Sequence, residues 1–115
     1  MTEIKGLKFD EAKVRVDLLP YDPLYVTAKV LTFGAQKYGD YNWANGIHYH
    51  RLFRAAINHT WQWFKGNTND PETGLPHLAH AICCLLFLLH YDLYRKQYAN
   101  FDDRPITPTG PKKKG

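Results

Sequence analysis

Between Leu78 and Leu89 the only polar side chain is His80. On a helix, such a stretch is apolar on every side, so it must be central and covered by its neighbours or by a second subunit. It is too short to span a bilayer, because the unbroken apolar run from Ala81 to Leu89 is about half of the roughly 20 residues a span needs. The rest of the chain must therefore supply elements that pack around this segment.

Two other segments read as helices. Asp22-Pro23 is a helix start, with an N-cap acid ahead of proline at the first helical position. Leu24, Ala28, Leu31 and Ala35 then continue at helical spacing to about Lys37. A second helix is predicted from Tyr49 to Lys65, with Gly66 as its stop and Leu52, Ala56, His59 and Trp63 on one face. The third, apolar helix starts near Pro76 and is expected to reach Tyr98, its core positions being Leu78, Ile82, Leu85, Phe87 and Leu89. The fold class is all-α: a small bundle of three main helices. Residues 1–20 form an extended N-terminal arm, residues 21–101 the helical domain, and residues 102–115 a disordered, dispensable basic tail with three prolines. Since three helices cannot surround the third in a chain this small, a homo-oligomer, dimer or higher, is expected.

With 115 residues there is room for one domain. The net charge of +4 falls to +1 once Lys112, Lys113 and Lys114 are set aside, so the body lacks the basic footprint of a nucleic-acid binder. No charged-then-apolar leader opens the chain, and Cys83 and Cys84 are adjacent, about 100° apart on a helix and poorly placed to pair. Reduced, buried thiols in a cytoplasmic protein are the expectation.

Histidine is the informative residue. His77 and His80 are three apart on the third helix and project from one face, while His59 lies on the inward face of the second. Asp70 and Glu72 sit in the loop between those helices. Two packed helices and their connection can thus gather three imidazoles and two carboxylates, a ligand set suited to a divalent metal. Each residue also has a structural reading. His80 can be a satisfied core histidine, His59 can bond a buried carbonyl, and Asp70 to Gly74 can be a plain turn. His48 and His50 are read as solvent-exposed, and His90 as a residue favouring the negative end of its helix.

Lys37, Arg51 and Arg54 are candidate phosphate ligands, although Arg51 and Arg54 also fit a solvated helical face. Tyr38, Asn42 and Trp43 offer rings and an amide able to meet a nucleobase; packing under the helices explains Trp43 equally well. No Gly-x-x-x-x-Gly-Lys-Ser/Thr loop, Gly-x-Ser-x-Gly elbow or Cys-x-x-Cys pair is present, which excludes P-loop, serine-hydrolase and zinc-ribbon readings.

Several strings together resemble one family. They are Arg15-Val16-Asp17-Leu18-Leu19-Pro20, Phe33-Gly34-Ala35-Gln36-Lys37-Tyr38-Gly39, Asn42-Trp43, His59 with Trp63, and Asp70-Pro71-Glu72-Thr73-Gly74-Leu75-Pro76-His77-Leu78-Ala79-His80. In order and spacing, over residues 13–91, they are similar to the phage and bacterial dATP/dGTP diphosphohydrolase (pyrophosphohydrolase) domain, grouped with all-α, MazG-like enzymes. The resemblance implies hydrolysis of a deoxypurine triphosphate to monophosphate and pyrophosphate, in some phages serving modified-purine DNA synthesis. It also implies a divalent metal and an oligomer. MazG-type enzymes hold magnesium with Glu-x-x-Glu and Glu-x-x-Asp on successive helices. Here the second helix has no Asp or Glu, and His77-x-x-His80 stands where Glu-x-x-Asp would be. Either the metal is cobalt, manganese or zinc rather than magnesium, or the histidines do acid–base work.

In the enzyme reading, His59, His77 and His80 are ligands or their supports, and Asp70 or Glu72 completes the site or orients water. Lys37 with Arg51 or Arg54 holds the polyphosphate, and Tyr38, Asn42 and Trp43 approach the base or sugar. The alternative is a non-catalytic helical module binding a nucleotide or protein, its histidines packed and hydrogen-bonded without metal. An HD-type phosphohydrolase is disfavoured because no His is followed directly by Asp in the sequence.

Overall fold

The computed structural model of the chain describes residues 13–106. The start of the predicted arm and the Lys112–Lys114 run lie outside the described residues. Three α-helices carry the fold: α1 (Tyr21–Tyr38), α2 (Tyr49–Phe64) and α3 (His77–Leu93), with 3₁₀ turns at Val16–Leu18, Asn42–Asn45 and Ala99–Phe101. The all-α class holds among the described residues.

α3 is the middle helix, with α2 and α1 each packed against it. α2 and α3 run antiparallel, since Tyr49 at the start of α2 stacks on Tyr91 near the end of α3, at 5.8 Å between ring centroids. Tyr91 is fully buried and anchors the core with Tyr49, Leu52 and Tyr98. Its hydroxyl donates to the Trp43 carbonyl at 2.6 Å, and that of Tyr98 donates to the Ala44 carbonyl at 2.7 Å. Two phenols thus satisfy the 3₁₀ turn that leads into α2, where a buried carbonyl would otherwise lose its water partners. Gly46 closes that turn at φ +108°, and the Phe101 ring occupies the space a β-carbon would need.

Several expectations are corrected. Pro20, not Asp22, precedes α1, so Pro23 stands at the third helical position, still inside the first turn where its missing N–H costs nothing. The arm folds into a 3₁₀ turn at Val16–Leu18, tightened by an Arg15–Asp17 pair at 2.8 Å. α3 ends at Leu93 rather than Tyr98, because the chain turns back there and drives Tyr98 into the aromatic core.

The largest correction concerns what α3 buries. Besides His77 and Tyr91 at its two ends, the residues it buries are small, Ala79, Ala81 and Cys83, which let the flanking helices approach closely, with Cys83 Sγ donating to the Thr27 carbonyl of α1. Leu78, Ile82, Leu85, Leu86, Leu89 and Leu93 are exposed instead. Trp63 is also exposed, at 44%. His59 already faces the first residue of α3, so the last turn of α2 overhangs the start of its partner.

Residues 102–106, expected to open a loose tail, lie against the helices. Asp103 Oδ1 accepts the His50 N–H at 2.9 Å, and Arg104 stacks over the Tyr49 ring at 5.6 Å.

Candidate metal and acid–base site

The end of the α2–α3 hairpin opposite the tyrosine core holds the histidines. The loop between the helices is short and strongly tied. Gly66 (φ +102°) ends α2, and the Asp70 N–H donates to the Leu75 carbonyl at 2.8 Å. The Gly74 N–H returns to the Asp70 carbonyl at 2.7 Å, with Gly74 at φ +72°. The Thr68 carbonyl accepts the first N–H of α3, that of His77, at 2.9 Å. These bonds fold Asp70 back over the start of α3.

Three of the predicted ligands meet there. His59, Asp70 and His77 each offer a ligand atom, and all three atoms lie within 4.8 Å of one another. His59 Nδ1 and His77 Nδ1 are 2.8 Å apart and hydrogen-bonded, and His77 is only 4% exposed. His80 joins the group: its ring stacks on that of His59 at 4.6 Å, and its Nε2 lies 4.0 Å from Asp70 Oδ2. The three imidazoles and Asp70 thus lie together at this end of the hairpin.

Glu72 is not in the cluster. It points to solvent and pairs with Lys37 at 3.7 Å, linking the last turn of α1 to the rim of the loop. Lys37 also lies over the Tyr38 ring at 5.3 Å, so both stand beside the Glu72 rim of the loop. Asn42 and Trp43 do not. Trp43 stacks on Phe87 at 5.2 Å and meets His90 edge-on at 4.9 Å, which is packing in the tyrosine end of the bundle. Arg51 and Arg54 are exposed on α2. Arg51 stands eight residues before His59, about 12 Å along the helix.

Thr73 was missed by sequence reasoning. Its N–H donates to Asp70 Oδ2 at 3.0 Å, and its hydroxyl lies 2.8 Å from His80 Nε2. The signal was present: a threonine three residues after an aspartate in a Pro- and Gly-containing turn commonly closes on that carboxylate. Also unforeseen is Asp103, whose carboxylate meets His50 Nδ1 and lies 3.7 Å from His48 Nδ1; both histidines are exposed, as expected.

The electrostatics favour the neutral form of His59 and His80 and the ionised form of Asp70. Burial pushes His59 below its ordinary value, and the neighbouring His80 and His77 add to the shift. Burial likewise lowers His80, against an opposing pull from Asp70. For Asp70, burial acts upward, but the Thr73 N–H and hydroxyl, with His80 and His59, outweigh it and hold the carboxyl below its usual range. Neutral imidazoles beside a carboxylate are electron-pair donors ready for a cation or a proton. The cysteines play no such part: burial pushes the Cys83 thiol up to about 12 and raises Cys84 too, so neither is an activated nucleophile.

The comparisons bear on this site. The family model described as dATP/dGTP diphosphohydrolase, N-terminal, matches residues 3–104. A protein of Salmonella phage PMBT28 named dATP/dGTP diphosphohydrolase is 42% identical over 85 residues, covering 72% of this chain and 28% of that protein. The chain thus spans less than a third of the length of the curated relative it matches. No solved structure matches it. Among the described residues, no helix is long and apolar enough to cross a membrane.

Proposed function

Because the chain belongs to the dATP/dGTP diphosphohydrolase N-terminal family, we propose that it hydrolyses dATP or dGTP to the monophosphate and pyrophosphate with a divalent metal held by His59, His77 and Asp70. The observation that carries this reading is the convergence of those three donors, with His80 behind them, at one end of the α2–α3 hairpin.

The donor set fits a metal. Two ligands about 2.1 Å from one cation stand roughly 3 Å apart, close to the 2.8 Å already separating the two Nδ1 atoms. Two imidazoles and one carboxylate select a transition ion such as manganese, cobalt or zinc over magnesium, which prefers oxygen. When bound, such an ion neutralises charge developing on the transferred phosphoryl group and acidifies a bound water.

The chain's own residues do the rest. Asp70 is fixed in its ionised form by Thr73 and supplies the negative charge. His80, neutral and beside Asp70, accepts a proton from water attacking the α-phosphorus. Lys37 at the loop rim meets the polyphosphate once a substrate anion competes with Glu72 for it, and Tyr38 stands beside it. Asn42 and Trp43, packed at the tyrosine end, and Arg51, about 12 Å along α2 from His59, take no part within one chain.

We also propose that the exposed face of α3, Leu78 to Leu93, is covered by a second copy of the chain. Leu78, Ile82, Leu85, Leu89 and Leu93 recur at helical spacing and are all exposed, a contiguous apolar stripe of the kind that marks an interaction surface. Light scattering at micromolar concentration should give a dimer or larger species, and a monodisperse monomer overturns this assembly.

The activity test is a screen of dATP, dGTP, dCTP and dTTP against magnesium, manganese, cobalt and zinc, with products resolved as monophosphate, diphosphate and pyrophosphate. Purine-selective release of pyrophosphate with a transition ion is expected. No turnover under any condition returns the cluster to the binding-module reading, which the His59–His77 hydrogen bond alone would satisfy.

A further inference from the structure

We propose that Thr73 is a positioning residue: its hydroxyl fixes His80 as the tautomer protonated on Nε2, leaving Nδ1 as the only lone pair of that ring. The inference rests on the proposed function only for the use made of that lone pair; the tautomer itself follows from the hydrogen bonding.

A hydroxyl has one proton to donate and two lone pairs to accept with. Thr73 Oγ1 has three polar neighbours: Asp70 Oδ2 at 3.2 Å, the Leu75 N–H at 3.2 Å and His80 Nε2 at 2.8 Å. The Leu75 amide can only donate, so it takes one lone pair. Asp70, a carboxylate at neutral pH, can only accept, so it takes the hydroxyl proton. The remaining lone pair needs a donor, and His80 Nε2–H is the only group left. The reverse assignment sends the hydroxyl proton to His80 and sets Thr73 Oγ1 against Asp70 Oδ2 with no proton between two acceptors, a costly arrangement in a partly buried site.

The 4.0 Å between His80 Nε2 and Asp70 Oδ2 is too long for a direct hydrogen bond, so Thr73 is the bridge between carboxylate and imidazole. It is also pre-oriented. Its own N–H is bound to Asp70 Oδ2 at 3.0 Å, and the surrounding turn is closed by the Gly74 and Asp70 amides. Thr73 thereby plays the part a carboxylate plays behind an oriented histidine: it settles which nitrogen is free before any substrate arrives.

Two-dimensional ¹⁵N–¹H correlation of the imidazole nitrogens in the ¹⁵N-labelled full chain tests this, with His80 identified by the loss of its signals in His80→Gln. In metal-free wild type at pH above 7, His80 should show a single Nε2–H tautomer. A ring protonated on Nδ1, or a mixture, overturns the proposal even if the enzyme turns over. Thr73→Ser should keep the wild-type pattern and kcat within about threefold. Thr73→Val should give a mixed tautomer and lower kcat at least tenfold with KM little changed. A Val variant with the wild-type tautomer pattern also overturns it. If Thr73→Val does not fold, the wild-type and Ser spectra decide. If wild type has no activity at all, the tautomer result stands on its own and only the proposed function fails.

Discussion

His59 and His77 face each other nitrogen to nitrogen, Nδ1 to Nδ1, at 2.8 Å across the α2–α3 hairpin. Two imidazole nitrogens at that distance hold one proton between them, so one ring is donor and the other acceptor. A cation arriving beside them has to displace that proton, and the spacing is otherwise already close to that of two ligands on one ion.

Metal should therefore stabilise the fold by linkage. With free manganese or cobalt at about 100 times its Kd, wild type should gain roughly 2.7 kcal/mol, read as a higher melting temperature. His59→Gln and Asp70→Asn should lose most of that gain, and His77→Ala should lose it while also destabilising the metal-free protein by about 1–3 kcal/mol, since His77 is buried. An equal metal response in wild type and all three variants would remove the metal from the proposal.

The metal-free protein should lose stability as pH falls through 6.5 and below. His59 and His80 titrate in the folded chain below the value of 6.5 they have when unfolded. The unfolded state therefore binds more protons between the folded values and 6.5, and stability rises with pH across that window. Below the folded values the loss is complete. Asp70, lowered from 3.8, acts further down: its stabilisation is present above 3.8 and disappears as pH falls through its folded value. Melting curves in chelator should show the first decline shrinking in the His59→Gln, His80→Gln double variant, and an unchanged decline would contradict this assignment.

At the other end of the bundle, Tyr91→Phe removes only the hydroxyl that donates to the Trp43 carbonyl. Tyr91 is fully buried, but the Trp43 carbonyl keeps the Gly46 N–H at 3.1 Å, so the loss should be about 1 kcal/mol, that of one hydrogen bond. Urea unfolding followed by tryptophan fluorescence reads it directly. Activity per folded molecule should be unaffected, because Tyr91 and the histidine cluster lie near opposite ends of the α2–α3 hairpin.

The helices and the histidine cluster were legible because both follow from short-range spacing. Leu52, Ala56 and His59 share a face by helical period alone, and His77 and His80 stay together for the same reason. The burial of α3 was not legible. Ala79, Ala81 and Cys83 look like weak core residues beside Leu85 and Leu89, yet close helix approach favours the small side chains and leaves the leucines outside. Thr73 and Asp103 were missed for different reasons. The local Asp70–Thr73 pattern stands in the sequence, but the contact of Thr73 with His80 needs the closed loop, and Asp103 acts across 53 residues of sequence, a pairing no local pattern encodes.

That last contact yields a further prediction. α2 begins after His48, whose side chain makes no capping hydrogen bond, so the first amides of the helix need an acceptor from elsewhere. Asp103 provides it, with Oδ1 on the His50 N–H and Oδ2 on the His50 ring, and its negative charge also suits the positive end of the α2 dipole. His50 in turn holds the carboxyl of Asp103 below its usual range despite partial burial. Asp103→Ala should therefore cost about 1 kcal/mol, the ordinary price of a lost N-cap, and truncation after Phe101 should cost at least as much. Truncation after Ile106 keeps the cap and should lie close to the full chain. Thermal melts of the three forms check the order, and a chain cut after Phe101 that melts with the full-length protein would show that Asp103 contributes nothing to α2.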